Sequence, residues 1–181
     1  MKNFLQQTKN CIALLTLILV ITSCSKNDKN LLNTANQKVI FNFDNGTPSG
    51  EYYKSEEKNN IKISSFEKNT ADAHDENIRH TSSSDFSGIT VYSYNGLLID
   101  LNQFNISQHK IAFKFKNGAS DTEVSFLDTN DNVIKKVDNI AVVSCICDPY
   151  QEMNTEIPTA TKKIIIDSYT LRLNEITIEA L

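Results

Sequence analysis

The chain has 181 residues, 40% hydrophobic and 22% charged, with 18 Lys+Arg against 22 Asp+Glu. That length fits one ordinary domain with an appendage, and excludes a multi-domain enzyme, a polytopic membrane protein and a collagen-like or disordered chain. A formal charge of −4 speaks against nucleic acid as a partner, because phosphate neutralisation needs an excess of Lys and Arg.

The first segment reads as an address. Lys2 and Lys9 precede a uniformly apolar run, Ile12–Ile21, broken only by Thr16. A run of about ten residues that is apolar but for one Thr, after a basic start, suits a secretory signal peptide, whereas a membrane span needs about 20. The run ends in Ile21-Thr22-Ser23-Cys24, an aliphatic residue, two small residues and a Cys. This resembles the lipobox of bacterial lipoproteins, which implies acylation of the Cys24 thiol, cleavage before it and acylation of the new amine. An ordinary signal peptide with a coincidental Cys, or an uncleaved anchor helix, is the alternative. Each buried CH₂ contributes about 0.8 kcal/mol, so two or three acyl chains hold a protein on a bilayer without a spanning segment.

Removal of residues 1–23 takes the formal charge from −4 to −6, since only Lys2 and Lys9 are lost. Residues 24–37 then form the lipidated Cys and a polar, Asn-rich tether without periodicity. Ser25, rather than Asp, after the Cys resembles lipoproteins sorted to the outer membrane. Lys26-Asn27-Asp28-Lys29 matches only in part the short charged motif that sends some of them to the cell surface, so the membrane face stays open.

From residue 38 to 181 the apolar residues follow a period of two more often than 3.6. Val39, Phe41 and Phe43 alternate with Ile40, Asn42 and Asp44, and Ile61 and Ile63 flank Lys62. Ile89–Tyr94 and Leu97–Leu101 follow. Ile111, Phe113 and Phe115, alternating with Ala112, Lys114 and Lys116, are the cleanest half-buried strand. Val124–Leu127 and Val133-Ile134 flank Asp128–Asn132, a hairpin signal, because Asp and Asn tolerate left-handed backbone and bond their own main chain. Ile140–Val143, Lys163–Asp167 and Arg172–Glu179 complete about nine strands without an amphipathic helix. In the last, a bulge at Asn174-Glu175 would bring Leu173, Ile176 and Ile178 onto one face. The chain therefore reads as all-β, a single jelly-roll-like β-sandwich over 38–181 behind a signal peptide and tether.

Three segments carry a further resemblance: Val39–Asp44, Leu98–Leu101 with Phe104, and Leu173–Glu179. They are similar to strands of extracellular jelly-roll modules of the galactose-binding-like type. That resemblance implies carbohydrate binding and a structural calcium ion near the first and last strands, with Asp44 and Glu175 as candidate ligands. The family's usual Asp in the closing motif is replaced here by Asn174 or Glu175.

Cys145 and Cys147 are the remaining mature cysteines. Outside the cytoplasm a pair points to a disulfide, yet positions i and i+2 on a flat strand sit near the limit of bridging. A local disulfide and two reduced thiols are equal readings, and a metal pair ranks behind them. Asp72–Glu76 with His80 reads as part of a charged, solvated loop over Glu67–Ser84 rather than a metal site. Tyr52 with Tyr53, and Tyr92 with Tyr94, are candidate sugar-stacking platforms, each weighed against half-buried strand filler. No Gly-x-Ser-x-Gly, His-Glu-x-x-His or Walker sequence occurs, so no catalytic residue is assigned. The expected function is an outer-membrane lipoprotein presenting a non-catalytic binding domain for a glycan or partner protein. The alternatives are an accessory subunit of a cell-envelope complex and, further behind, a small hydrolase.

Overall fold

A computed structural model of the chain describes residues 38–67, 78–84, 86–92, 95–118, 122–138, 150–168 and 170–181. The signal segment, Cys24, the tether, Cys145, Cys147 and the strand expected at Ile140–Val143 lie outside these residues.

Twelve strands, and no helix, form among the described residues. They are β1 (Val39–Asn42), β2 (Ser55–Lys58), β3 (Ile61–Glu67), β4 (Arg79–Ser82), β5 (Ser87–Tyr92) and β6 (Asn95–Asp100). Then come β7 (His109–Gly118), β8 (Glu123–Leu127), β9 (Val133–Val137), β10 (Gln151–Ile157), β11 (Lys163–Asp167) and β12 (Thr170–Ala180). A front sheet runs β10-β7-β12-β5-β4, with β1 also on β12, and a back sheet runs β2-β3-β6-β11-β8-β9. Every pairing is antiparallel. The inward side chains of the two sheets build one core, with Phe41, Ile89, Val91, Phe113, Phe115 and Ile176 from the front and Ile61, Ile99, Phe126 and Ile166 from the back. The fold is a β-sandwich.

The bulge expected in the last strand is present. Leu173 pairs with Phe115 and Glu175 with Lys114, so Asn174 is left over, and Leu173, Ile176 and Ile178 are all fully buried. On its other edge β12 holds β5 along Thr170–Leu173 and β1 along Glu175–Ile178, and Asn174 occupies the junction. Its carbonyl accepts from Phe43 N at 2.9 Å, and its side-chain amide donates to Ser87 O at 2.9 Å. The bulge thus ties the end of β1 and the start of β5 to the central strand. Gly88 allows the same junction. Its φ is +153°, and a Cβ there would strike the Leu173 carbonyl and the Phe86 ring.

Asp128–Asn132 turns the chain between β8 and β9. The Asp128 carboxylate accepts from the backbone of Asn130 and Asn132, and Asp131 takes a φ of +62°. The β2–β3 hairpin turns on Asn59 and Asn60, both at positive φ, as a tight two-residue turn requires.

Three strands exceed the sequence expectation: β2, β4 and β10. The first two mark an edge of each sheet, and β10 marks the other edge of the front sheet. The reading of Glu67–Ser84 as one solvated loop is corrected at its C-terminal end. There β4 pairs with β5, and His80 is turned inward against Tyr53 with ring centroids 5.8 Å apart. Burial holds the His80 imidazole below its ordinary pKa, although Glu51 and Glu56 pull it up.

Candidate binding site

Period two sends every second residue of the front sheet to its outer face, where β1, β12, β7 and β10 lie side by side. Register sorts these residues into rows running across the strands. One charged row is Lys38, Glu179, Lys110 and Glu156; another is Asn42, Glu175, Lys114 and Glu152. Between them lie smaller or less polar side chains, Ile40, Thr177, Ala112 and Asn154.

Short side chains flanked by long ones leave a trough. Its volume is about 190 Å³, with Ala112 and Thr177 in it and Lys38, Lys110, Lys114, Glu152, Asn154, Glu175 and Glu179 around them. Four strands at about 4.8 Å spacing give it a breadth of about 14 Å.

The polar groups of the trough are partly organised already. Glu179 accepts from Lys110 at 3.0 Å and lies 3.4 Å from Lys38, and these ammoniums hold its carboxyl below the usual range. Glu175 accepts from the Thr177 hydroxyl at 2.9 Å. Carboxylates that accept, ammoniums that donate, and an amide and a hydroxyl that do either are the set that pairs with vicinal hydroxyls.

The candidate platform Tyr52–Tyr53 is corrected. The two rings point to opposite sides of the chain: Tyr52 is 51% exposed and Tyr53 only 5%. Tyr53 packs edge-on against Phe43 at 5.5 Å, donates to Ile63 O at 3.4 Å, and its hydroxyl pKa is pushed up by burial. It is core. Tyr52 stays outside, with the Arg79 guanidinium 4.8 Å from its ring centroid. Tyr92 belongs to β5, and its side chain, with all of Tyr94, lies outside what the structure describes.

Asp44 and Glu175 sit where the first and last strands meet, but each carboxylate has its own partner. Asp44 accepts from the Ser87 hydroxyl at 2.6 Å and Glu175 from Thr177. Asn174 aims its amide N–H at Ser87 O, presenting a donor where a cation would want an acceptor. Among the described residues no group of three or more His, Cys, Asp or Glu is gathered to hold a metal.

Tyr150, in neither candidate pair, is an aromatic ring that the structure brings to this face. The Lys114 and Lys116 ammoniums lie 5.1 and 5.6 Å from its centroid, and its hydroxyl accepts from Ser87 N at 3.5 Å. No sequence signal near Tyr150 announces this, because its neighbours come from β5 and β7.

No family model matches the chain, and no curated protein matches it. Among solved structures it is similar to the K1 cleaved adhesin domain of Lys-gingipain from Porphyromonas gingivalis W83. The identity is 16%, over 80% of this chain and 99% of that one, at a TM-score of 0.49. It is also similar to the K3 cleaved adhesin domain of the same protein (12%, 79% and 98%, TM-score 0.47). A family 35 carbohydrate-binding module from Clostridium thermocellum follows at 9% identity, covering 80% and 99%, with a TM-score of 0.39. Likeness at this level carries neither ligand nor activity across.

Proposed function

We propose that this protein is a bacterial lipoprotein of the outer membrane whose β-sandwich binds a glycan on the outer face of the front sheet, without catalysing a reaction. The observation that carries the binding half is the trough across β1, β12, β7 and β10, in which donors and acceptors surround a floor of small side chains. A sugar chain laid across the strands would rest on Ala112 and Thr177 and exchange hydrogen bonds with Asn154, Glu152 and Lys114. The address half rests on Lys2, Lys9, the apolar run and Ile21-Thr22-Ser23-Cys24. Acyl chains on Cys24 would anchor the protein, and residues 25–37 would hold the sandwich off the bilayer.

One feature favours a protein partner instead. Edge strand β9 leaves Val133 57% and Ile134 40% exposed, two neighbouring apolar side chains that another chain could cover, beside Lys135 and Lys136 in the same strand.

The test is a glycan array on the soluble Cys24→Ala chain, followed by calorimetry on the glycans that bind. Asn154→Ala and Glu152→Gln should each weaken binding by about tenfold, the scale of one or two lost hydrogen bonds. An empty array with correctly folded protein, or binding indifferent to both substitutions, removes this reading.

A further inference from the structure

The side chains lining the trough sum to zero charge, with Lys38, Lys110 and Lys114 against Glu152, Glu175 and Glu179. Register alternates the signs across the strands. Lys110 has Glu179 on one side and Glu156 on the other, and Lys114 has Glu175 on one side and Glu152 on the other. Opposite charges stand directly across from each other in both rows, so the sheet neutralises its own outer face.

The capacity left for a ligand differs between the two signs. Each of the three ammoniums already faces a group of the protein. Lys38 and Lys110 lie 3.4 and 3.0 Å from the Glu179 carboxylate, and Lys114 lies 5.1 Å from the Tyr150 ring centroid. The carboxylates keep more. Glu175 accepts from the Thr177 hydroxyl at 2.9 Å through one oxygen, and a carboxylate has about four lone-pair sites. Glu152 is exposed on edge strand β10, and so is Glu156, about 13 Å further along with Asn154 between them. An acidic chain crossing that edge would meet both carboxylates. It would reach the ammoniums only by displacing Glu179 or by drawing Lys114 off its ring. A hydroxyl donates to a carboxylate at neither cost.

We infer that the trough selects an uncharged glycan, whose hydroxyls donate to Glu152 and Glu175, and rejects glycans bearing carboxylate or sulfate. This rests on the glycan reading above and adds the charge class of its ligand. Glu152, at the rim, sets the rejection, because an acidic group entering over β10 meets it first.

The test ranks neutral, uronate, sulfated and amino glycans on an array with the soluble Cys24→Ala full chain, then titrates a hexuronate oligomer and its methyl ester by calorimetry. The tightest array glycans should be neutral, and their affinity should change by less than about twofold as salt rises from about 50 to 200 mM. The methyl ester should bind at least about tenfold tighter than the free acid. If neither member of the pair binds, the array ranking decides. In Glu152→Lys the acid-to-ester ratio should rise by about tenfold and acidic glycans should move up the array. Melting curves report on folding, and Glu152→Gln, closer in shape, covers the case in which Glu152→Lys does not fold, with a smaller rise. Acidic or amino glycans binding tightest, or a ratio unmoved in a folded Glu152 variant, overturn this inference and leave the glycan reading standing. The absence of binding to every glycan overturns both.

Discussion

Replacing Asn174 by Ala removes one amide from the junction where β1, β5 and β12 meet. The backbone of the bulge stays, including the Phe43 N–H to Asn174 carbonyl bond, but the 2.9 Å donation to Ser87 O is lost. Asn174 is 8% exposed, so water replaces that donor poorly. A net hydrogen bond contributes about 1 kcal/mol, and the half-buried Ser87 carbonyl left without this donor costs somewhat more, which places the loss near 2 kcal/mol. For a domain of this size that lowers Tm by about 4–8 °C. Asn174→Asp should cost more, because a carboxylate has no proton to donate and faces the Ser87 carbonyl. Thermal and urea denaturation of the soluble chain measure both. A melting temperature unchanged in Asn174→Ala, or Asn174→Asp more stable than Asn174→Ala, would refute the junction as described.

Burial depresses both His80 and His109, so each resists protonation in the folded state while the unfolded chain titrates normally near pH 6.5. Stability should therefore be full above about pH 6.5 and fall as the pH drops below it; His109→Gln should flatten that fall in urea titrations at stepped pH. Gly88→Ala meets the Leu173 carbonyl and the Phe86 ring at positive φ, and should cost about 2–4 kcal/mol, read as a lower urea midpoint. Cys24→Ala should remove the acylated mass and move the protein from the envelope fraction to the soluble one, as read by intact mass and fractionation. An unmodified, soluble wild type would contradict the anchor.

The strands legible in the sequence are those with one apolar face. Ile111, Phe113 and Phe115 in β7, and Leu173, Ile176 and Ile178 around the bulge, carry the pattern because the core demands it. β2, β4 and β10 were hidden because they lie at sheet edges, where outward and edge-facing positions take Glu, Lys, Thr and Asn. His80, read as part of a loop, is buried because β4 alternates it inward between Arg79 and Thr81. The trough was illegible for another reason. Its rows run across strands, so Lys114, Glu152 and Glu175 become neighbours only through register, and Tyr52 and Tyr53 part company because adjacent residues face opposite ways.

The most direct test of the central claim is a map of ligand-induced amide shifts on the isotopically labelled Cys24→Ala chain, titrated with the tightest glycan from the array. The account predicts that the shifted amides cluster on residues 110–114, 152–154 and 175–179, the parts of β7, β10 and β12 under the trough. Shifts confined to the back sheet, with β7, β10 and β12 unmoved, would contradict it.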